Sequence, residues 1–249
     1  TLMLPIFAQW FTDSFLRTKF NVNGPQDFKE NESNHEIDLC QIYGMPETQT
    51  TMRSMKNGFL KSQIIDNEEF PAHLFEETAS GGGVHIKLEF AGLYTESNMQ
   101  RGFANASKEH KLNCFAVGLE HGNSTMGNTL MNIIWLREHN RIAREIVKAN
   151  PTWDDERLFK SARNVNITLL LKVVVEDYIC HLAGFPFKLD TKIAERERWY
   201  RNNRMAAESA LLYHWHDLIP GTVEFGGERK DSSALSRNNR WLMKVGIDR

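Results

Sequence analysis

"LMNIIWLREHNRIAREIVKANPTWDDERLF", residues 130–159, decides the fold class. Its apolar residues recur at intervals of three and four, as on one face of a helix, and the run stops at Pro151 because the residue before a proline avoids helical angles. Thr152 is placed to cap a second helix, with Asp155 answering it. That second helix is long: Leu158, Ala162, Val165, Leu169 and Val173 keep the same spacing, the pattern continues to Ile179, and Gly184 is available to end it. A third helix starts near Ala194 and runs into "LLYHWHDL", residues 211–218.

Toward the N-terminus, "LPIFAQWFTDSFLRT" (4–18) places Ile6, Trp10, Phe11 and Phe15 on one side of an amphipathic helix. Residues 21–35 are polar, and "MRSMKNGFLKSQII" (52–65) reads as a hairpin because Asn57-Gly58 supplies the positive φ angles of a tight turn. "SGGGVH" (80–85) is an exposed loop, and from Phe115 onward the pattern is helical. The chain is therefore expected to be mainly α, one domain over residues 1–249 with a minor β-hairpin.

A chain of 249 residues can bury a sizeable core. Its 30 basic and 32 acidic residues are interspersed and sum to −2, which excludes a nucleic-acid-binding face. The apolar run "ITLLLKVVV" (167–175) is broken by Lys172 and too short to span a bilayer, and "TLMLPIFAQWF" (1–11) lacks the basic flank and cleavage site of a signal peptide. Cys40, Cys114 and Cys180 are widely spaced without a CXXC pair, so neither a zinc ribbon nor a disulfide scaffold is indicated. Asn-X-Ser/Thr triplets begin at Asn31, Asn105, Asn123 and Asn166; matches this short arise by chance and carry little weight. Composition leaves the compartment undetermined.

The chemistry-bearing stretch is "LLYHWHDL". Tyr213 and His216, three apart, share a helix face, while His214 points elsewhere. Three readings stay open on spacing alone. Buried Tyr and His are common at a core edge where one polar tip is satisfied. A hydrolytic zinc site would need HEXXH, of which "REHNR" (137–141) is a partial echo. In the third reading one neutral imidazole ligates haem iron.

"IIWLREHNRIAREI" (133–146), "NPTWDDERLF" (150–159) and "LLYHWH" (211–216) together resemble the animal-type haem peroxidases and, within them, the cyclooxygenases (prostaglandin H synthases). "IDLCQIYG" (37–44), "MRSMKNGFLKSQIIDNEEFP" (52–71) and "FAVGLE" (115–120) extend the resemblance over nearly the whole chain. Family members are longer, and both ends of this chain are abrupt, so a central piece of the catalytic domain is expected. The resemblance implies a haem peroxidase-like helical domain with iron protoporphyrin as cofactor. His216 would be the proximal iron ligand, with His214 and His121 among the residues around the cofactor; His121 lies over its distal face, where the family has an apolar residue. Tyr213 would be the radical site and Tyr178, in "VVVEDYIC" (173–180), its hydrogen-bond partner. Ile179, Leu182, Leu212 and Trp215 match apolar channel or packing positions, and Gln9 in "FAQWF" (7–11) matches the glutamine that orients peroxide.

Two departures accompany these matches. Asp13 stands where the family has a distal histidine, four residues after the glutamine, and Phe185 replaces a tyrosine that helps hold the substrate carboxylate. The implied activity is tyrosyl-radical abstraction of hydrogen from a polyunsaturated fatty acid, followed by O2 addition, with a peroxidase activity weakened by Asp13. A plain haem peroxidase and an inactive haem-binding relative are the alternatives. The implied partners are the fatty acid, O2 and peroxide, with homodimerisation and membrane association through segments outside this chain; animal cyclooxygenases would place it at the endoplasmic reticulum membrane.

Overall fold

The computed structural model describes residues 2–19, 21, 24–25, 29–33, 36–190, 197–198, 213, 220–225 and 227–231. In chain order these form α1 (Met3–Thr12), two short helices α2 (Cys40–Tyr43) and α3 (Gln49–Met52), β1 (Ser62–Ile65), β2 (Glu68–Pro71), β3 (Phe75–Glu77), β4 (Val84–Ile86), α4 (Glu96–Phe103), α5 (Lys108–Leu112), α6 (Met126–Ala149), α7 (Asp155–Lys172), a π-helical stretch Val173–Ile179, α8 (Cys180–Ala183), β5 (Thr222–Phe225) and β6 (Glu228–Asp231). The fold is mainly α, as the spacing implies. Among the described residues, no helix is long and apolar enough to cross a membrane.

The centre is α6, with α1 and α7 packed against it. Trp10 of α1 stacks on Trp135 of α6 with ring centroids 6.0 Å apart, and its indole Nε1 donates to Asn132 Oδ1 at 2.8 Å. The histidine of "REHNR" is structural. His139 Nε2 donates to the Gly58 carbonyl at 2.9 Å, which leaves Nδ1 to accept from the Tyr43 hydroxyl at 2.8 Å. Burial holds His139 down at about 4, so it stays neutral and keeps this tautomer. Asn123 and Asn166, two of the four Asn-X-Ser/Thr positions, are also core residues: Asn166 Nδ2 donates to Tyr43 Oη, and Asn123 pairs with both backbone groups of Phe115.

The sequence places the α7 cap two residues early. Thr152 lies in the turn after Pro151, and Asp154 caps instead, its carboxylate accepting from Arg157 N at 2.8 Å. This leaves Asp155 and Glu156 in the first turn, where the helix dipole favours them, and both bind Arg53. The buried face of α7 is corrected as well. Val165 is 45% exposed; the buried line runs Leu158, Ala162, Asn166, Leu170, Val174, Tyr178, in steps of four. Each such step in an α-helix overshoots a full turn by about 40°, and the π stretch, bonding i to i+5, takes up the surplus. Gly184, at φ +73, ends α8 as expected. Most of the helix expected from near Ala194 into residues 211–216 lies outside the described residues, and the positions described there, Glu197, Arg198 and Tyr213, are not helical.

The β content also differs from expectation. Asn57 and Gly58 do adopt positive φ, but they close one bridge, Arg53 to Leu60, rather than a ladder. The ladder is the next turn along, β1 with β2, where Asp66 and Asn67 hold the positive φ angles. The "SGGGVH" loop is exposed and joins β3 to β4, and β5 pairs with β6, giving three two-stranded antiparallel sheets among the described residues.

The 57–58 turn forms no ladder because it is pinned to α7. Gly58 N donates to Asp155 Oδ1 at 2.7 Å, and a Cβ on Gly58 would lie 2.6 Å from Phe159 N. Gly58→Ala is therefore expected to cost about 2–4 kcal/mol, read as a lower urea midpoint at unchanged m-value; an unaltered midpoint would mean that the turn lifts away freely.

Candidate functional site

Helix α1 carries chemistry on two flanks. On one, Gln9 and Asp13 sit one turn apart, and Gln9 Nε2 donates to Asp13 Oδ1 at 2.8 Å. The other carboxylate oxygen accepts from Asn128 Nδ2 at 2.9 Å. Asn128 is held in the first turn of α6 by its own backbone, whose N–H is capped by Thr125 Oγ1. Burial raises the Asp13 carboxyl above its ordinary value, and the neighbouring His121, Gln9, Asn128 and Arg17 offset only part of that.

His121 stands in the short turn Glu120–Asn123 before α6, with Nε2 3.6 Å from Asp13 Oδ2 and Nδ1 3.7 Å from Glu120 Oε1. Glu120 is buried and salt-bridged to Arg17 at 2.6 Å, with Arg101 of α4 at 3.4 Å. Burial works against its charge, yet His121 and Arg17 outweigh burial and pull the carboxyl from 4.5 down to about 2. The ionised form therefore stabilises the folded chain fully above about pH 4.5, and this contribution is lost as pH falls toward 2. In Glu120→Gln the acid loss of stability across that window is expected to flatten, measured by urea midpoints at stepped pH; the wild-type slope in the variant would refute this.

On the other flank of α1, Phe7 and Phe11 pack against Tyr178 at centroid distances of 5.4 and 6.1 Å. Tyr178 is buried at the end of the π stretch, and its hydroxyl meets that of Tyr213. The tyrosine pair read from the sequence is thus brought together. Ile179, Leu182 and Phe185 follow Tyr178 in the chain and are exposed among the described residues, with the Phe185 ring tilted against that of Phe187 at 4.8 Å. Leu212, His214, Trp215 and His216 lie outside the described residues.

The sequence named Gln9, Asp13 and His121 but not Asn128, Glu120 or Arg17, which complete the polar cluster. The described residues contain no group of three or more His, Cys, Asp or Glu able to hold a metal ion. A haem iron asks for one protein imidazole rather than a cluster. The carboxamide, raised carboxyl and imidazole beside α1 form a donor set suited to peroxide at such a group, and the phenol pair adds an oxidisable side chain nearby.

The sequence pattern described as animal haem peroxidase matches residues 8–243. Over 249 residues the chain is 33% identical to prostaglandin G/H synthase 2 of Bos taurus, covering 99% of this chain and 37% of that protein. Prostaglandin G/H synthase 1 of Mus musculus is 33% identical over 251 residues, with the same coverage. The chain thus spans little more than a third of these relatives. Among solved structures, peroxidase A from Dictyostelium discoideum superposes with a TM-score of 0.72 at 17% identity, over 99% of this chain and 53% of that one. A fatty acid alpha-dioxygenase from Oryza sativa gives 0.64 at 14%, over 99% and 47%. These two likenesses concern the fold.

Proposed function

The chain belongs to the animal haem peroxidase family, whose members use haem, and from that premise we propose that it is the central part of a haem-dependent fatty-acid dioxygenase of cyclooxygenase type. The observation that carries this reading is the hydroxyl contact between Tyr178 and Tyr213. A plain peroxidase needs no such phenol, whereas radical oxygenation needs an oxidisable side chain held in place.

Haem would be held by His216 and would supply the oxidising power when peroxide is present. Gln9 orients the peroxide, and Asp13 stands where the family's proton-accepting histidine stands. Tyr213, oxidised by one electron and relieved of its phenolic proton, is aligned by the Tyr178 hydroxyl. It takes a hydrogen atom from a polyunsaturated fatty acid, restoring the phenol and leaving a carbon radical to which O2 adds. Phe11 and Phe7 fix the Tyr178 ring, so the alignment rests on α1 as much as on α7. Ile179, Leu182, Leu212 and Trp215 would line the apolar path to Tyr213. Phe185 offers no hydroxyl for the substrate carboxylate, so carboxylate anchoring falls to other residues.

The test is haem titration by absorbance, followed by oxygen uptake with arachidonate in the full-length protein. Uptake that requires haem and a trace of peroxide supports the reading. Peroxide consumption without oxygen uptake reduces the function to that of a plain peroxidase, and absence of haem binding leaves an inactive relative.

A further inference from the structure

The polar cluster beside α1 contains two carboxyls, one on either side of a single imidazole, and they are treated oppositely by the fold. Asp13 is partly buried and, among the described residues, receives neutral donors at hydrogen-bond distance, Gln9 and Asn128. Glu120 is buried against the Arg17 guanidinium at 2.6 Å, with Arg101 close to its second oxygen. His121 lies between them, 3.6 Å from Asp13 and 3.7 Å from Glu120, through different ring nitrogens.

We propose that His121 is the proton-handling base of the peroxide site, with Glu120 as the positioning residue that orients it and Asp13 as the carboxyl facing its front nitrogen. The proposal rests on the haem-peroxide part of the reading above, not on fatty-acid oxygenation. Two titratable groups whose surroundings push them apart mark the acid and the base of a site. Here Asp13 is pushed toward its neutral form and Glu120 toward its charged form.

Asp13 Oδ2 already accepts from Asn128 Nδ2 and lies 3.6 Å from His121 Nε2, so Nε2 keeps its lone pair for an incoming proton. His121 Nδ1 carries the ring proton and turns it toward Glu120 Oε1, 3.7 Å away, and Arg17 donates to Glu120 Oε2. An ionised carboxylate behind an imidazole fixes the tautomer and stabilises the imidazolium when the front nitrogen gains a proton. The hydroperoxide O–H bond then breaks, the proton passes to Nε2, and it returns to the oxygen released when the O–O bond breaks, a cleavage for which bound haem would supply the two electrons. No net proton is gained or lost. The imidazole that a helix position at Asp13 would have supplied is thus provided from the turn before α6.

The charged and titratable groups facing His121 are Asp13 from α1, Arg17 from the segment after it, Glu120 from its own turn and, behind Glu120, Arg101 from α4 with its partner Glu32. None of them is the iron ligand.

The first measurement needs no haem. Nitrogen NMR of the full-length protein, labelled at histidine, should show neutral His121 protonated on Nδ1. Glu120→Gln, which keeps the shape and removes the charge, should move part of that population to Nε2. The second uses the haem-loaded protein and stopped-flow mixing with a hydroperoxide. His121→Val should slow the reaction on the order of a hundredfold, and Asp13→His placed in the His121→Val background should restore most of the rate. His121 is part-exposed, so its replacement keeps the core intact and the test decisive even if Glu120→Gln fails to fold. An Nε2-protonated imidazole in the wild type, or His121→Val reacting as fast as wild type, overturns the proposal. Fatty acid left unoxygenated while both measurements come out as stated refutes the dioxygenase reading alone.

Discussion

Tyr213→Phe is expected to abolish oxygen uptake with a polyunsaturated fatty acid while peroxide consumption stays within about twofold of wild type, since the change leaves every proton-handling group in place. Phenylalanine keeps the ring that packs against the core and loses the one group that can cycle between phenol and radical. The partner phenol is not a substitute. Tyr178 is buried against Phe7 and Phe11 and reaches the site only through its hydroxyl, so in the variant it loses a hydrogen bond worth about 1 kcal/mol and gains no access to substrate. Oxygen uptake at the wild-type rate in Tyr213→Phe would remove the radical role and leave a peroxidase whose tyrosine pair is packing.

His216→Ala should cost haem itself. His216 follows Tyr213 by three residues in the sequence, and the proposed reading makes the one the iron ligand and the other the radical phenol. Alanine leaves no axial donor at that position, so haem affinity read by absorbance titration is expected to fall at least a hundredfold, on the scale of losing a metal ligand. Added imidazole should recover part of the haem spectrum by occupying the space of the missing ring. A His216→Ala variant with unchanged affinity and spectrum would move the ligand elsewhere, with His214 next to be replaced.

The two long helices were legible because their signals are local. Apolar spacing and Pro151 mark the end of α6 from the chain alone, and Gly184 marks the end of α8. The cap of α7 was misread by two residues because Thr152 and Asp154 are both good capping types, and what separates them is Arg53, about a hundred positions earlier, claiming the acids that follow. The buried face of α7 was misread for a related reason. Asn166 and Tyr178 belong to it, and a count of apolar residues alone passes over an asparagine held by Tyr43 and a tyrosine held by Tyr213.

The site followed the same division. Gln9, Asp13 and Tyr178 were found by their likeness to a family, and the fold sets each of them among partners. Glu120 and Arg17 were not found. A buried ion pair between positions 103 residues apart leaves no periodic trace, and each residue alone reads as a surface charge. Asn128 was not found either, because what gives it a place in the site is its bond to Asp13, 115 positions earlier.

The π stretch Val173–Ile179 makes this part of the chain tolerant of one kind of change and intolerant of another. Val174 and Tyr178 are the buried residues of that stretch, so most of its other side chains can be exchanged without moving the backbone. Removing residues is different. Loss of one is absorbed where it occurs, because ordinary α turns carry the chain as far round with one residue fewer than the wider π turn; loss of a second, with that slack spent, would rotate everything downstream by about 100° about its axis. Tyr178 would swing off its line and away from Tyr213, taking the start of the apolar path with it. Along this segment it is the number of residues, more than their identity, that the tyrosine pair depends on, so insertions and deletions there should be far rarer among active relatives than substitutions.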